Sequence, residues 1–232
     1  MLPILLLGFL LGMRHATDAD HVVAVTTIVS RERSVRAAAP LGILWGVGHT
    51  LTILCVGGAI IVFGLVIPAR VGLALELCVA FVLLLLGAVN LRAAARDGHA
   101  RGTATSAPAQ PGSEPPPEKR RARTSLRPVL VGVAHGLAGS AAVALLVLGT
   151  LRNSAWAIAY LVVFGVGTIA GMFLITAVFA VPVAAAAGRF ERFHRALGIV
   201  TGLASILFGG FLVYRIGFVD GFFAAHPSWT PE

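Results

Sequence analysis

Charge is scarce in this chain: Asp, Glu, Lys and Arg make up 12% of its 232 residues, against roughly a quarter in a soluble globular domain. Together with 57% apolar residues and a mean hydropathy of +0.90, that shortage excludes a water-soluble fold and points to the lipid bilayer. Cysteine is almost absent as well. Cys55 and Cys78 both stand inside apolar runs, which excludes a disulfide scaffold and the paired Cys-x-x-Cys of a zinc or thiol-redox site. No secretory leader is expected: the apolar start has no basic residues before it and continues through a polar patch to Ser30, so the first run is expected to stay as a span. The net charge of +8 does not indicate nucleic acid, because the basic residues fall between the apolar runs and leave no basic face for a duplex.

What the chain has is six apolar stretches, each long enough to cross hydrocarbon as a helix: about Leu2 to Ser30, Ala38 to Ile67, Val71 to Leu91, Pro128 to Leu151, Ser154 to Ala187, and Ala196 to Val219. Between the third and fourth lies a Pro-, Gly-, Ser- and Arg-rich segment, residues 93–127, with Pro115-Pro116-Pro117 and Lys119-Arg120-Arg121. Its composition is that of a disordered basic linker. If the spans alternate, one side receives Arg31, Arg33, Arg36, the eight basic residues from Arg92 to Arg127, and Arg189, Arg192 and Arg195, while the other receives only Arg70, Arg152 and Arg215. The positive-inside rule then places the linker in the cytoplasm and both termini outside.

A repeat is also visible. Gly12-Met13-Arg14-His15 matches Gly132-Val133-Ala134-His135, Trp45-Gly46-Val47-Gly48 matches Phe164-Gly165-Val166-Gly167, and Leu86-Gly87 matches Phe208-Gly209, at offsets of 120, 119 and 122 residues. Three spans per half is an odd number, so the second half enters the membrane from the opposite side. The expected fold is therefore all-α: a polytopic membrane protein of six transmembrane helices as two inverted three-helix repeats, residues 1–92 and 128–232, joined by the linker. Secondary transporters are often built this way, with the substrate site near the midplane.

The first span carries Arg14-His15-Ala16-Thr17-Asp18-Ala19-Asp20-His21, a cluster that is costly in lipid unless it is paired or functional. At about 100° per residue His15, Asp18 and His21 share an arc of about 120°, but Asp20 lies about 160° from Asp18. All four converge only if the helix unwinds locally, as discontinuous helices do at transporter ion sites. Imidazole with carboxylate suits nickel, cobalt or zinc and is poorly matched to magnesium or calcium. The same residue types would also serve an interhelical polar network with Arg14 as counter-ion. In the second span His49, behind Gly46 and Gly48, lies ~17 Å from the cytoplasmic end, a depth similar to that of the first cluster. It is a candidate fourth member, although a lone intramembrane His serves equally as a packing residue. His135 takes the place of His15 in the second half, where the following Gly136-Leu137-Ala138-Gly139-Ser140 has no carboxylate. It is read as a gate or relay, with Arg14, or as packing. Asn90 and Thr168 are expected to form interhelical hydrogen bonds, Cys55 to fill space, and Glu76 to face water or pair with Arg70.

Arg14, His15, Asp20 and His21 together resemble the nickel/cobalt transporter family, whose signature is Arg-His, four residues, then Asp-His; the family's Gly-His of the next helix is matched by Gly48-His49. The resemblance covers about the first ninety residues, and the second half looks more like the shorter six-span branch linked to urease accessory permeases. It implies transport of Ni2+ or Co2+ across a bacterial cytoplasmic membrane, with His15, Asp20, His21 and His49 as metal-binding residues; Asp18 joins these metal candidates from the cluster's own chemistry. The ion is cargo, no resident cofactor is expected, and proteins that mature nickel enzymes are the expected partners. The competing classes are a membrane-embedded zinc metalloenzyme, which a three-histidine site with an open position would also fit, and an anion or sulfite exporter, for which only Arg14 speaks.

Overall fold

The computed structural model describes residues 2–32, 34–65, 67–104, 126–137, 153–187, 191–225, 227 and 229, and among these every regular element is helical. The helices are α1 (Leu2–His15), α2 (Ala19–Val29), α3 (Val35–Thr52), α4 (Gly58–Phe63), α5 (Ala69–Ala104), α6 (Leu126–Leu137), α7 (Ser154–Ala187) and α8 (Glu191–Tyr214). Single turns of π-helix, Ile53–Gly57 and Arg215–Val219, join α3 to α4 and close α8. Four segments are long and apolar enough to cross a bilayer: Val35–Phe63, Ala69–Arg96, Ser154–Ala185 and Phe193–Val219. Leu2–His15, Ala19–Val29 and Leu126–Leu137 are shorter apolar helices, and the expected fourth span beyond residue 137 lies outside the described residues.

Two places refine the expected outline, the first at the local unwinding that convergence of the cluster required and the second beyond the third span. The first apolar stretch is two helices, because the chain tightens after His15: Thr17 N–H bonds Arg14 O at 2.7 Å and Asp18 N–H bonds His15 O at 3.1 Å, a shorter-range pattern that ends an α-helix. Asp18 is extended, with φ −60° and ψ 149°, and opens α2 as its N-cap residue without a side-chain cap bond. The second difference is that α5 continues to Ala104, through the first twelve residues assigned above to the linker. The run Arg92-Ala93-Ala94-Ala95-Arg96 is made of the strongest helix formers, which outweigh its polarity. Residues 105–125 of that linker lie outside the described residues.

Packing inverts the pattern of a soluble protein. Leu6, Leu10, Phe81, Leu85, Leu207 and Phe218 are all more than half exposed on the outer surface, while Thr27, Ser30, Thr50, Asn90, Thr168, Thr176 and Ser205 are buried. Apolar exteriors with small and polar residues between helices are what a bilayer selects. Among the described residues, α1 packs extensively on α7, α3 on α7 and α5 on α8.

These contacts recur in matched pairs. A Cβ on Gly12 of α1 would run into the Phe164 carbonyl of α7 and reach the Thr168 nitrogen at 2.9 Å; one on Gly132 of α6 would run into the Trp45 carbonyl of α3 and reach the His49 nitrogen at 2.9 Å. Gly48 faces the Val129 carbonyl as Gly167 faces that of Phe9, Gly46 faces Ile169 as Gly165 faces Thr50, and Gly87 faces the Gly202 carbonyl as Gly209 faces that of Ala80. Every pairing exchanges residues 119 to 122 positions apart. The glycines are therefore required where two backbones touch, and the arrangement brings α1, α3, α6 and α7 together around one centre.

Candidate metal centre

That centre is lined by imidazoles. The interruption between α1 and α2 places His15 at the end of one helix and His21 in the first turn of the next, while the close approach of α3 supplies His49. One ligand atom from each of these three histidines lies within 4.8 Å of the other two. Ring centroids are 4.8 Å apart for His15 and His21, and 5.1 Å for each of the pairs His15–His49 and His21–His49. His49 is fully buried and His21 nearly so.

The carboxylates stand behind the imidazoles. Asp18 Oδ2 is 2.7 Å from His15 Nδ1, and Asp20 Oδ1 is 3.0 Å from His21 Nδ1. A carboxylate accepts, so in both rings Nδ1 carries the hydrogen and Nε2 keeps the lone pair. This is the carboxylate–histidine arrangement that fixes tautomer and orientation at metal sites. It also accounts for the missing cap bond of α2, since the side chain of Asp18 is turned to His15 instead of to the backbone.

His15 Nε2 and His49 Nε2 are 3.1 Å apart. Two nitrogens bound to one cation at ~2.0–2.1 Å lie about 2.9 Å apart at a right angle and about 3.4 Å apart in a tetrahedron. The spacing thus suits either a proton shared between the rings or a cation between them. His21 Nε2 and His49 Nδ1 are buried and have no hydrogen-bond partner among the described residues.

No protein-family model matches this chain, and no solved structure matches it. A curated relative does: the chain is 32% identical over 226 residues, covering 96% of each sequence, to the urease accessory protein UreH of Bacillus sp. (strain TB-90). The chain belongs to the UreH family.

Around the histidines, this UreH-family chain places groups that sequence reading did not assign to the site. The Trp45 indole stacks on His21 at 5.8 Å with the planes 15° apart and meets His135 edge-on at 5.2 Å; Phe164 lies 5.6 Å from His15. The only sequence signal for them was their shared position in the Trp45/Phe164 repeat. His135 is buried 5.4 Å from the His21 ring, outside the three-histidine group, with Nδ1 3.1 Å from the Val131 carbonyl. Arg14 is exposed at the end of α1, and its carbonyl accepts from Thr17 Oγ1 at 2.6 Å.

The weaker candidates fall elsewhere. Asn90 is the centre of an interhelical knot: Nδ2 donates to Ser30 Oγ, Gly198 O and Thr201 Oγ1, each at 3.1 Å, and Oδ1 accepts from Arg31 Nε at 2.6 Å. In the turn between α2 and α3, partial burial pushes the Glu32 carboxyl up. Thr168 donates to Phe164 O of its own helix at 3.0 Å, so its hydroxyl is used within α7. Glu76 accepts from Trp229 Nε1 at 2.7 Å, and Cys55 and Cys78 are on the exposed surface.

Proposed function

We propose that this chain carries Ni2+ across the cytoplasmic membrane to supply a nickel enzyme, urease being the one its relative is named for. The observation that carries the reading is the convergence of His15, His21 and His49 from α1, α2 and α3, with a carboxylate behind two of the three rings. Neutral imidazoles oriented from behind favour a borderline divalent transition metal, Co2+ included, over Mg2+ or Ca2+. The relative supports nickel within that group, because it is a urease accessory protein.

Six spans in two inverted halves complete the proposal. Its support is the set of matched glycine contacts, which relate α1 to α6, α3 to α7 and α5 to α8 at one nearly constant offset. In this reading Leu2–Val29 forms one interrupted span, α6 begins the fourth, the linker is cytoplasmic, both termini are outside, and the helix break lies near the midplane. Such a break frees backbone carbonyls and lets the ligands rearrange without melting a whole helix.

Flux of radiolabelled nickel into proteoliposomes of defined orientation tests the function. Saturable nickel entry that is lost in His49→Ala is expected. Correctly inserted protein that binds nickel but passes none would overturn the carrier reading, and turnover of a peptide or lipid by that protein would replace it with a metalloenzyme.

A further inference from the structure

We infer that His135 forms a second cation position with His21, and that an ion leaves the His15–His21–His49 set by way of it. The inference rests on the transport reading above and adds to it a direction within the protein: toward α6.

The second position is built by the backbone. Gly132 and Gly136 flank His135 on α6, and a Cβ on either would strike the turn of α3 that holds His49: the Trp45 carbonyl for Gly132, and the His49 oxygen at 2.6 Å for Gly136. Two bare positions let α6 lie directly on that turn, which carries the His135 ring inward. There its Nδ1–H donates to Val131 O at 3.1 Å. A carbonyl only accepts, so Nε2, at the other edge of the ring, holds the lone pair. Nε2 is buried and has no partner among the described residues, although His135 is only 2% exposed. A histidine kept for packing would normally have that nitrogen satisfied.

Two rings of the first set's surroundings lie against His135. His21, whose Nε2 is likewise buried and unpartnered among the described residues, is 5.4 Å away, and Trp45 borders both rings. His21 therefore belongs to two sets: with His15 and His49 on one side, with His135 on the other. The repeat gives the same answer independently. His15 and His135 occupy matching positions, and each packs against the aromatic ring of the opposite half, Phe164 for His15 and Trp45 for His135. A cation shared through His21 exchanges one imidazole lone pair for another at each step, so it is never released bare into an apolar interior.

The test compares equilibrium binding with flux in the full chain, using Ni2+ alone as the probe. His135→Gln keeps the volume and removes the imidazole. Its nickel affinity should stay within about threefold of wild type, because the first set is intact, while nickel flux should fall at least tenfold. Flux within twofold of wild type would overturn the inference. An affinity loss as large as that of His49→Ala would overturn it too, by placing His135 in the first set. If His135→Gln fails to insert, the wild-type chain decides: titrated with Co2+, it should take up a second, weaker equivalent with its own d–d absorption, and saturation at one equivalent refutes the second position. Wild-type protein that binds neither metal would instead strike the transport reading itself.

Discussion

Asp18 and Asp20 are the sharpest point at which to test the centre, because an outer carboxylate and a ligand carboxylate predict different numbers. With Asp18 Oδ2 at 2.7 Å from His15 Nδ1 and Asp20 Oδ1 at 3.0 Å from His21 Nδ1, each would act on a bound metal through an imidazole. Asp18→Asn keeps the shape and removes the charge. Loss of such an outer partner weakens metal binding by about 10- to 100-fold, or about 1.4 to 2.8 kcal/mol. Loss of an imidazole is larger: four-ligand zinc sites bind with about 10–16 kcal/mol, so one ligand accounts for about 2.5 to 4 kcal/mol, or roughly 70- to 900-fold. The decisive variant is the pair Asp18→Asn with His15→Ala. Without the ring the carboxylate has nothing to orient, so the double variant should bind nickel no worse than His15→Ala, and the coupling energy should equal the whole Asp18→Asn effect. Asp20→Asn with His21→Ala should behave alike. Isothermal titration of purified variants measures this. Additive losses would refute the reasoning and make the carboxylates ligands in their own right.

Three other outcomes follow from the structure. Gly132→Ala drives a Cβ into the Trp45 carbonyl and should cost about 1–3 kcal/mol of stability. Gly58→Ala and Gly210→Ala, with nothing within 4 Å, should be neutral or stabilising by up to ~1 kcal/mol; thermal unfolding in detergent compares them. Asn90→Ala removes the Arg31 Nε acceptor and the donor that joins Ser30, Gly198 and Thr201. A loss of about 2–3 kcal/mol is expected, with nickel affinity unchanged in the protein that remains folded. Nickel binding should also weaken as the medium is acidified, because a protonated imidazole has no lone pair to give; affinity that is constant from pH 8 to pH 5 would argue against histidine ligands.

The interruption of the first stretch was legible in the sequence because angular spacing alone left Asp20 facing away from Asp18 on a continuous helix. The contacts of the two carboxylates with the Nδ1 atoms of His15 and His21 were not. Which nitrogen a carboxylate meets depends on side-chain rotamers and on the turn at Ala16–Asp18, and residue spacing carries neither. His135 was visible as a repeat mate of His15, but its unpartnered Nε2 and its closeness to His21 depend on α6 resting on α3, a contact between residues about 85 positions apart in sequence. Trp45 was read only as a repeat marker for the same reason. The extension of α5 to Ala104 was missed because polarity was taken as a boundary where helix propensity continued.

The closest backbone contacts all join a helix that precedes residue 105 to one that follows residue 125: α1 to α7, α3 to α7, α6 to α3, α5 to α8. During synthesis the residues before 105 are therefore made with Gly12, Gly46, Gly48 and Gly87 facing nothing, and wait for partners made later. A chain severed between residues 105 and 125 should regain its shape only when both pieces share a membrane.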